Sequence, residues 1–75
     1  MEIYKNLGGT SGIASFELGS NSIAVKFKDG VTYNYTYNSA GKSNVEEMKV
    51  LARQGSSLNA FIKKYVSKLY EVKIR

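Results

Sequence analysis

The apolar residues of this chain change their period once. Up to about residue 38 they recur at every second position, with Tyr, Val, Ile and Thr abundant; after residue 43 they recur every three to four. The first pattern marks strands with one buried face, and the second marks amphipathic helices. Strands that precede helices, without alternating with them, imply an α+β fold with an antiparallel sheet. The expected architecture is a three-stranded antiparallel meander followed by two helices packed on one face, with short terminal strands as additions. At 75 residues the chain has room for a single domain, 1–75. So small a domain must commit nearly every large apolar residue to its core. No apolar run approaches the ~20 residues of a membrane span. The opening MEIYKNLGG lacks the apolar core of a signal peptide, so the expected location is cytoplasmic.

The first strand is expected at about Gly12 to Leu18, with Ala14, Phe16 and Leu18 on one face. Gly19-Ser20-Asn21 is a turn signal. The second strand runs from about Ser22 to Lys28, with Ile23, Val25 and Phe27 alternating against Ala24, Lys26 and Lys28. Asp29-Gly30 is a hairpin signal. The third strand, about Val31 to Tyr37, alternates Val31, Tyr33, Tyr35 and Tyr37 against Thr32, Asn34 and Thr36. A polar loop, Asn38 to Lys42, follows. Ser43-Asn44-Val45-Glu46 has the pattern of a capping box, and the stripe Val45, Met48, Leu51 and Ala52 continues it as a helix. Gly55 suits the left-handed stop. A second helix from about Ser56 or Ser57 carries the stripe Leu58, Phe61, Ile62, Tyr65, Val66 and Leu69. The tail Glu71 to Arg75 alternates as a short strand would, with Glu2-Ile3-Tyr4-Lys5 as its candidate partner.

Two registers are open at Asp29-Gly30. A two-residue loop pairs Lys28 with Val31 and Lys26 with Tyr33. The tyrosines then share an open face with Lys26 and Lys28, an arrangement that can stack bases and neutralise phosphates. A three-residue loop, Lys28-Asp29-Gly30, places Gly30 in the left-handed position of a bulge. Phe27 then pairs with Val31 and Val25 with Tyr33, so every apolar residue of both strands falls on one face. A one-residue slip moves the whole set, and burial favours the three-residue loop. Tyr33 and Tyr35 are then core or core-edge residues, with Tyr4 and Tyr37 partly exposed.

Catalytic candidates are few. The chain has no His and no Cys, which removes the usual zinc sites, thiol nucleophiles and histidine triads. Glu46 and Glu47 are adjacent on a helix and diverge. The segment Gly8-Gly9-Thr10-Ser11-Gly12 lacks the Gly-Lys-Ser/Thr ending of a phosphate loop and precedes a strand, so it reads as a linker. No cofactor, metal or membrane partner is expected, and no enzymatic activity.

Charge gives the functional lead. Eleven Lys and Arg against six Asp and Glu leave a formal charge of +5. Lys63, Lys64 and Lys68 lie opposite the apolar stripe of the second helix, and Lys73 and Arg75 follow. Lys49 and Arg53 stand four apart on the first helix. Clustered cations on one surface are the footprint of phosphate-backbone binding. An ordinary solvated helix face gives the same pattern, and lysines in a last helical turn also suit the helix dipole.

These residues in this order resemble the KTSC domain, a short module found at the C-terminus of some lysyl-tRNA synthetases and as stand-alone bacterial and phage proteins. The strand pair Ser22 to Tyr37, the Tyr33-Asn34-Tyr35 triplet, the helix opening Val45-Glu46-Glu47-Met48, and Ala52-Arg53-Gln54-Gly55 follow the family order. Leu58-Asn59 stands where an aromatic-Asn pair is found, and Ile62 and Tyr65 match the end. The resemblance covers about residues 11–65, with 1–10 outside it as a linker or short strand. The chain departs from the family in lacking the Val-Pro after Tyr-x-Tyr, and in Leu58. The resemblance implies no established activity; the synthetase link implies RNA binding.

Two functions follow as expectations. One is a non-enzymatic module that binds RNA or another polyanion through Lys63, Lys64 and Lys68, assisted by Lys26, Lys28 and Arg53, with Tyr33, Tyr35, Gly55, Asn59 and Tyr65 as the motif residues. The other is a protein-interaction or structural module, paired with a protein partner or with a second copy of itself.

Overall fold

The computed structural model describes residues 1–7, 9 and 11–74. Gly8 and Thr10 of the glycine-rich segment, and Arg75 of the basic tail, lie outside them. The fold is α+β. Strands β1 (Glu2–Ile3), β2 (Ile13–Leu18), β3 (Ser22–Phe27), β4 (Thr32–Thr36) and β5 (Val72–Ile74) form one sheet in the order β1-β2-β3-β4-β5. Every neighbouring pair is antiparallel. Helices α1 (Tyr37–Ala40), α2 (Lys42–Gln54) and α3 (Leu58–Phe61) follow β4, and α3 runs on into a π turn over Ile62–Val66.

The hairpin between β3 and β4 takes the three-residue loop. Val25 pairs with Tyr33 and Ile23 with Tyr35. The Phe27 amide donates to the Val31 carbonyl (2.9 Å) and the Gly30 amide to the Phe27 carbonyl (3.0 Å). Gly30 sits at φ +91°, where a side chain would be strained. The Asp29 carboxylate accepts from the Val31 amide at 2.9 Å, closing the turn. Ile23, Val25 and Tyr35 are thereby buried on one face, with Phe27 and Tyr33 packed at its edge.

β2 departs from simple alternation. Ile13 pairs with Phe27, but Ser15 pairs with Lys26, so Ala14 is one residue too many. The bulge lets Ile13 take the inward place expected of Ala14, while Phe16 stays inward beside it. A larger side chain replaces a small one in the core, at about 0.8 kcal/mol per additional buried methylene.

The core closes with Val45, Met48 and Ala52 of α2 and with Leu58, Ile62 and Val66 further along. The expected loop at 38–42 is instead α1. Thr36 caps it: its hydroxyl accepts from the Ser39 amide, and the Ser39 hydroxyl accepts from the Thr36 amide, both at 3.0 Å. This capping box uses Ser at its third position. Ser43 and Glu46 form none, because α2 already begins at Lys42 after Gly41.

Three other expectations are corrected. The terminal strands do not pair with each other. β1 adds to the free edge of β2 and β5 to that of β4, at opposite sides of the sheet. The meander leaves two edges open, and each terminus meets the one its neighbouring segment reaches. Tyr4 is buried, with 4% of its surface exposed. Tyr65 and Leu69 are exposed, although both belong to the helical stripe. In the π turn the bonds run i→i+5, so residues four apart stay aligned while those three apart separate. Leu58, Ile62 and Val66, each four apart, therefore remain inward and Tyr65 turns out.

Candidate nucleic-acid interface

The π turn is fixed at both ends by the core. Gly55 stops α2 in the left-handed conformation at φ +79°, and its amide donates to the carbonyls of Leu51 and Ala52. Three residues later the Leu58 amide donates to the Tyr4 hydroxyl at 3.3 Å. Tyr4 is itself tied to β2, its amide donating to the Ala14 carbonyl. Leu58, Ile62 and Val66 are inserted in the core, which leaves Asn59, Lys63, Lys64, Ser67 and Lys68 on the other sides.

Lys63 and Lys68 line the same groove, of about 350 Å³. In an α-helix, residues five apart point about 140° away from each other. The wider π turn between them narrows that angle, so both reach one groove. Its walls are Phe27, Tyr33, Tyr35 and Tyr70, with Asn59 and Ser67 at the helix side. Tyr33 meets Phe27 edge-on (centroids 5.5 Å apart, planes at 88°) and Tyr70 at 4.9 Å and 60°. Lys73, opposite Tyr33 in the ladder, places its ammonium 5.7 Å from the Tyr33 ring centre. Asp29 is the one acidic side chain among the described residues lining this groove. None of Lys63, Lys64, Lys68 or Lys73 has a carboxylate within 4.0 Å among the described residues. Their charge is left to solvent or a ligand.

The other sequence candidates are dispersed. Lys64 lies over the Tyr65 ring (5.4 Å), which stacks obliquely on Phe61, away from the groove. Lys26 is opposite Thr32 on the outer face of the sheet, and Lys28 is in the turn. The open sheet face combining the tyrosines with Lys26 and Lys28 does not form, because the three-residue loop sends tyrosines and lysines to opposite sides. Arg53 is exposed near the end of α2 and lines neither cavity. Gly55 acts as a turn. Tyr35 is buried with 1% exposed, and burial pushes its phenol up to about 12, the neighbouring Tyr33 and Tyr70 adding to the shift. It supports the groove floor and cannot stack a ligand. Tyr70 carries no motif in the sequence, and Lys73 only the charge of the basic tail; the pairing of β5 with β4 brings them to the site.

Two further features adjoin. Asn59 and Lys63 also line a polar cavity of about 460 Å³ with Tyr4, Asn6, Ser11, Ser56, Ser57 and Ala60. A separate cluster surrounds Tyr37. Its hydroxyl donates to Glu46 (2.6 Å), Lys49 pairs with the same carboxylate (2.9 Å), and the ammonium groups of Lys42 and Lys49 lie 5.9 and 5.8 Å from the ring. The Tyr37 hydrogen bond, then Lys49, holds the Glu46 carboxyl below its usual value, and the same bond raises the Tyr37 phenol. These two lysines are already engaged.

Among the described residues, no three His, Cys, Asp or Glu side chains gather as metal ligands would. No helix is long and apolar enough to cross a membrane. No family model, curated protein or solved structure matches the chain. The likeness to the KTSC domain rests on the residue pattern alone.

Proposed function

We propose that this chain is a small non-enzymatic module that binds a polyanion, RNA foremost, through the basic side of α3 and its π turn. The observation that carries this reading is the convergence of Lys63 and Lys68 on one groove, with Lys73 beside it and no carboxylate paired to any of them among the described residues. Unpaired cations at one place release counterions when they meet phosphates, and that release drives binding. The resemblance to a module attached to a tRNA synthetase supports RNA as the polyanion. The test is titration of a labelled single-stranded RNA at two salt concentrations. Three phosphate contacts give a slope of log K against log salt of about −2. The Lys63/Lys64/Lys68→Glu triple variant abolishes binding with its circular dichroism unchanged; binding equal to the parent chain overturns the assignment.

A second reading, self-association, is favoured by the uncovered side of the sheet. Ile3, Ser15, Lys26, Thr32 and Ile74 form one cross-strand row there, and Ile3 and Ile74 at its ends are 83% and 56% exposed. Sedimentation velocity distinguishes the two: a stable dimer without affinity for polyanions supports this one.

A further inference from the structure

The lysines of the proposed interface stand around an aromatic cleft, and a polyanion backbone needs no such cleft. Resting on the reading above, we propose that the groove walled by Phe27, Tyr33 and Tyr70 receives an unpaired base, and that the module selects single-stranded over duplex RNA. A lysine surface alone follows charge density, which is higher in a duplex. Paired bases are stacked on one another and present no free face to a side chain. An unpaired base can leave its strand and lie against aromatic rings, and such contacts tolerate any sequence because every base has a π face.

The groove has the features this requires. Its volume of about 350 Å³ lies within the range of small-molecule pockets. Phe27, Tyr33 and Tyr70 are all half-buried, so their rings are held by the fold but reach the surface. Their planes meet at 88° and 60°, which turns the ring faces in different directions. Lys63 and Lys68 line the groove and Lys73 lies by the Tyr33 ring, so the phosphates flanking a seated base find cations close by. The lone carboxylate, Asp29, already accepts the Val31 amide, which reduces its repulsion of an anion. Asn59 and Ser67 line the groove with side-chain groups able to hydrogen-bond a base edge. The ridge of Asn59 and Lys63 leads into the polar cavity, a path for the next nucleotide of the strand.

The experiment compares an eight-nucleotide oligouridylate with an RNA duplex carrying the same number of phosphates, for the parent chain, Tyr70→Leu and Tyr70→Phe. Affinity is read by anisotropy of the labelled RNA. The chain has no Trp, so its intrinsic fluorescence reports on tyrosine directly. The parent chain is expected to bind the single strand at least fivefold more tightly than the duplex, with quenched tyrosine emission. Tyr70→Leu keeps apolar bulk but removes the ring, and should lose between about fivefold and a hundredfold on the single strand. Its duplex affinity should stay as it was, which also shows that the variant is folded. Tyr70→Phe keeps the ring and the preference. Equal affinity for both RNAs, or a single-strand affinity indifferent to Tyr70→Leu, overturns the base-binding groove and leaves the lysine surface standing. Absence of binding to either RNA overturns both.

Discussion

Gly55 joins the two halves of the helical layer, and replacing it with alanine tests how the π turn is positioned. Two separate costs arise. At φ +79° an L side chain is strained by about 1–2 kcal/mol. In addition, a new Cβ would stand 2.5 Å from the Lys5 Cβ and 3.2 Å from its Cγ, and the first of these cannot swing away without moving the backbone. That backbone is tied in place, because the Gly55 carbonyl accepts from the Leu7 amide at 2.7 Å. Overpacking of this kind costs about 1–3 kcal/mol. The expected loss is therefore about 2–5 kcal/mol, a large share of the 4–11 kcal/mol on the order of which a domain this size is stable. Gly30→Ala is the internal control. Gly30 has φ +91° and nothing within 4 Å of the added methyl, so only the backbone cost of about 1–2 kcal/mol applies. Urea unfolding followed by circular dichroism gives both values. Lys5→Gly, which removes the opposing Cβ, should relieve the excess in a double-mutant cycle, whereas Lys5→Ala keeps that atom and should not. Equal losses for Gly55→Ala and Gly30→Ala, or no relief from Lys5→Gly, would refute the close approach of the N-terminal segment to the end of α2.

Two predictions concern ionisation. The Tyr35 phenol, raised to about 12 by burial, makes the folded state hold its proton more tightly than the unfolded chain, whose value is 10.0. The resulting stability is complete below pH 10 and is lost as pH rises toward 12; the difference in phenolate absorbance between the parent chain and Tyr35→Phe should appear only near the upper value. Glu46 has the opposite sign. Its folded value is lowered by Tyr37 and Lys49, so its contribution is present above 4.5 and disappears as pH falls through the folded value. Acid unfolding of Glu46→Gln should therefore lack that pH-dependent component, and an acid limb identical to the parent chain would count against the Tyr37–Glu46–Lys49 cluster.

The parts of the fold legible in the sequence are those that burial alone decides. The register at Asp29-Gly30 follows because only one of two slips puts Ile23, Val25, Tyr33 and Tyr35 on the same side. The α2 stripe follows for the same reason. The bulge at Ala14 was not legible, since it depends on what β3 places opposite and both Ala14 and Ser15 are small enough to lie on either side. Helix α1 is built from Tyr, Asn, Ser and Ala, a composition that reads as a loop; its stability comes from the reciprocal Thr36–Ser39 bonds. The π turn was hidden because Leu58, Ile62 and Val66 fit an α-helix equally well by spacing. At the site, Lys63 and Lys68 are evident from charge. Tyr70 is not, and Lys73 is evident only as a charge of the tail, because their place is set by a strand pairing almost 40 positions distant in the chain, between Asn34 and Val72.

Five of the eleven cations thus fall in two environments that differ in what they leave available. Around Tyr37, one carboxylate and one ring engage Lys42 and Lys49, and the cluster joins the start of the helical layer to the turn at Ser20, whose carbonyl accepts from Lys49. Those lysines serve the fold, though exposed ion pairs of this kind contribute little to stability. Around the groove the balance is reversed: Lys63 and Lys68 line it and Lys73 lies by the Tyr33 ring, while Asp29, the single carboxylate among the described lining residues, is already held by a turn. Mutual repulsion among these cations works slightly against folding, so stability gives no reason to gather them. The π turn sharpens the same point. An uninterrupted α-helix through residue 68 would direct Lys63 and Lys68 well apart, while the widened turn brings both to one aromatic cleft. An arrangement that places like charges together, at a helical irregularity of the kind often found at functional sites, is better explained by an anionic ligand than by the requirements of the core.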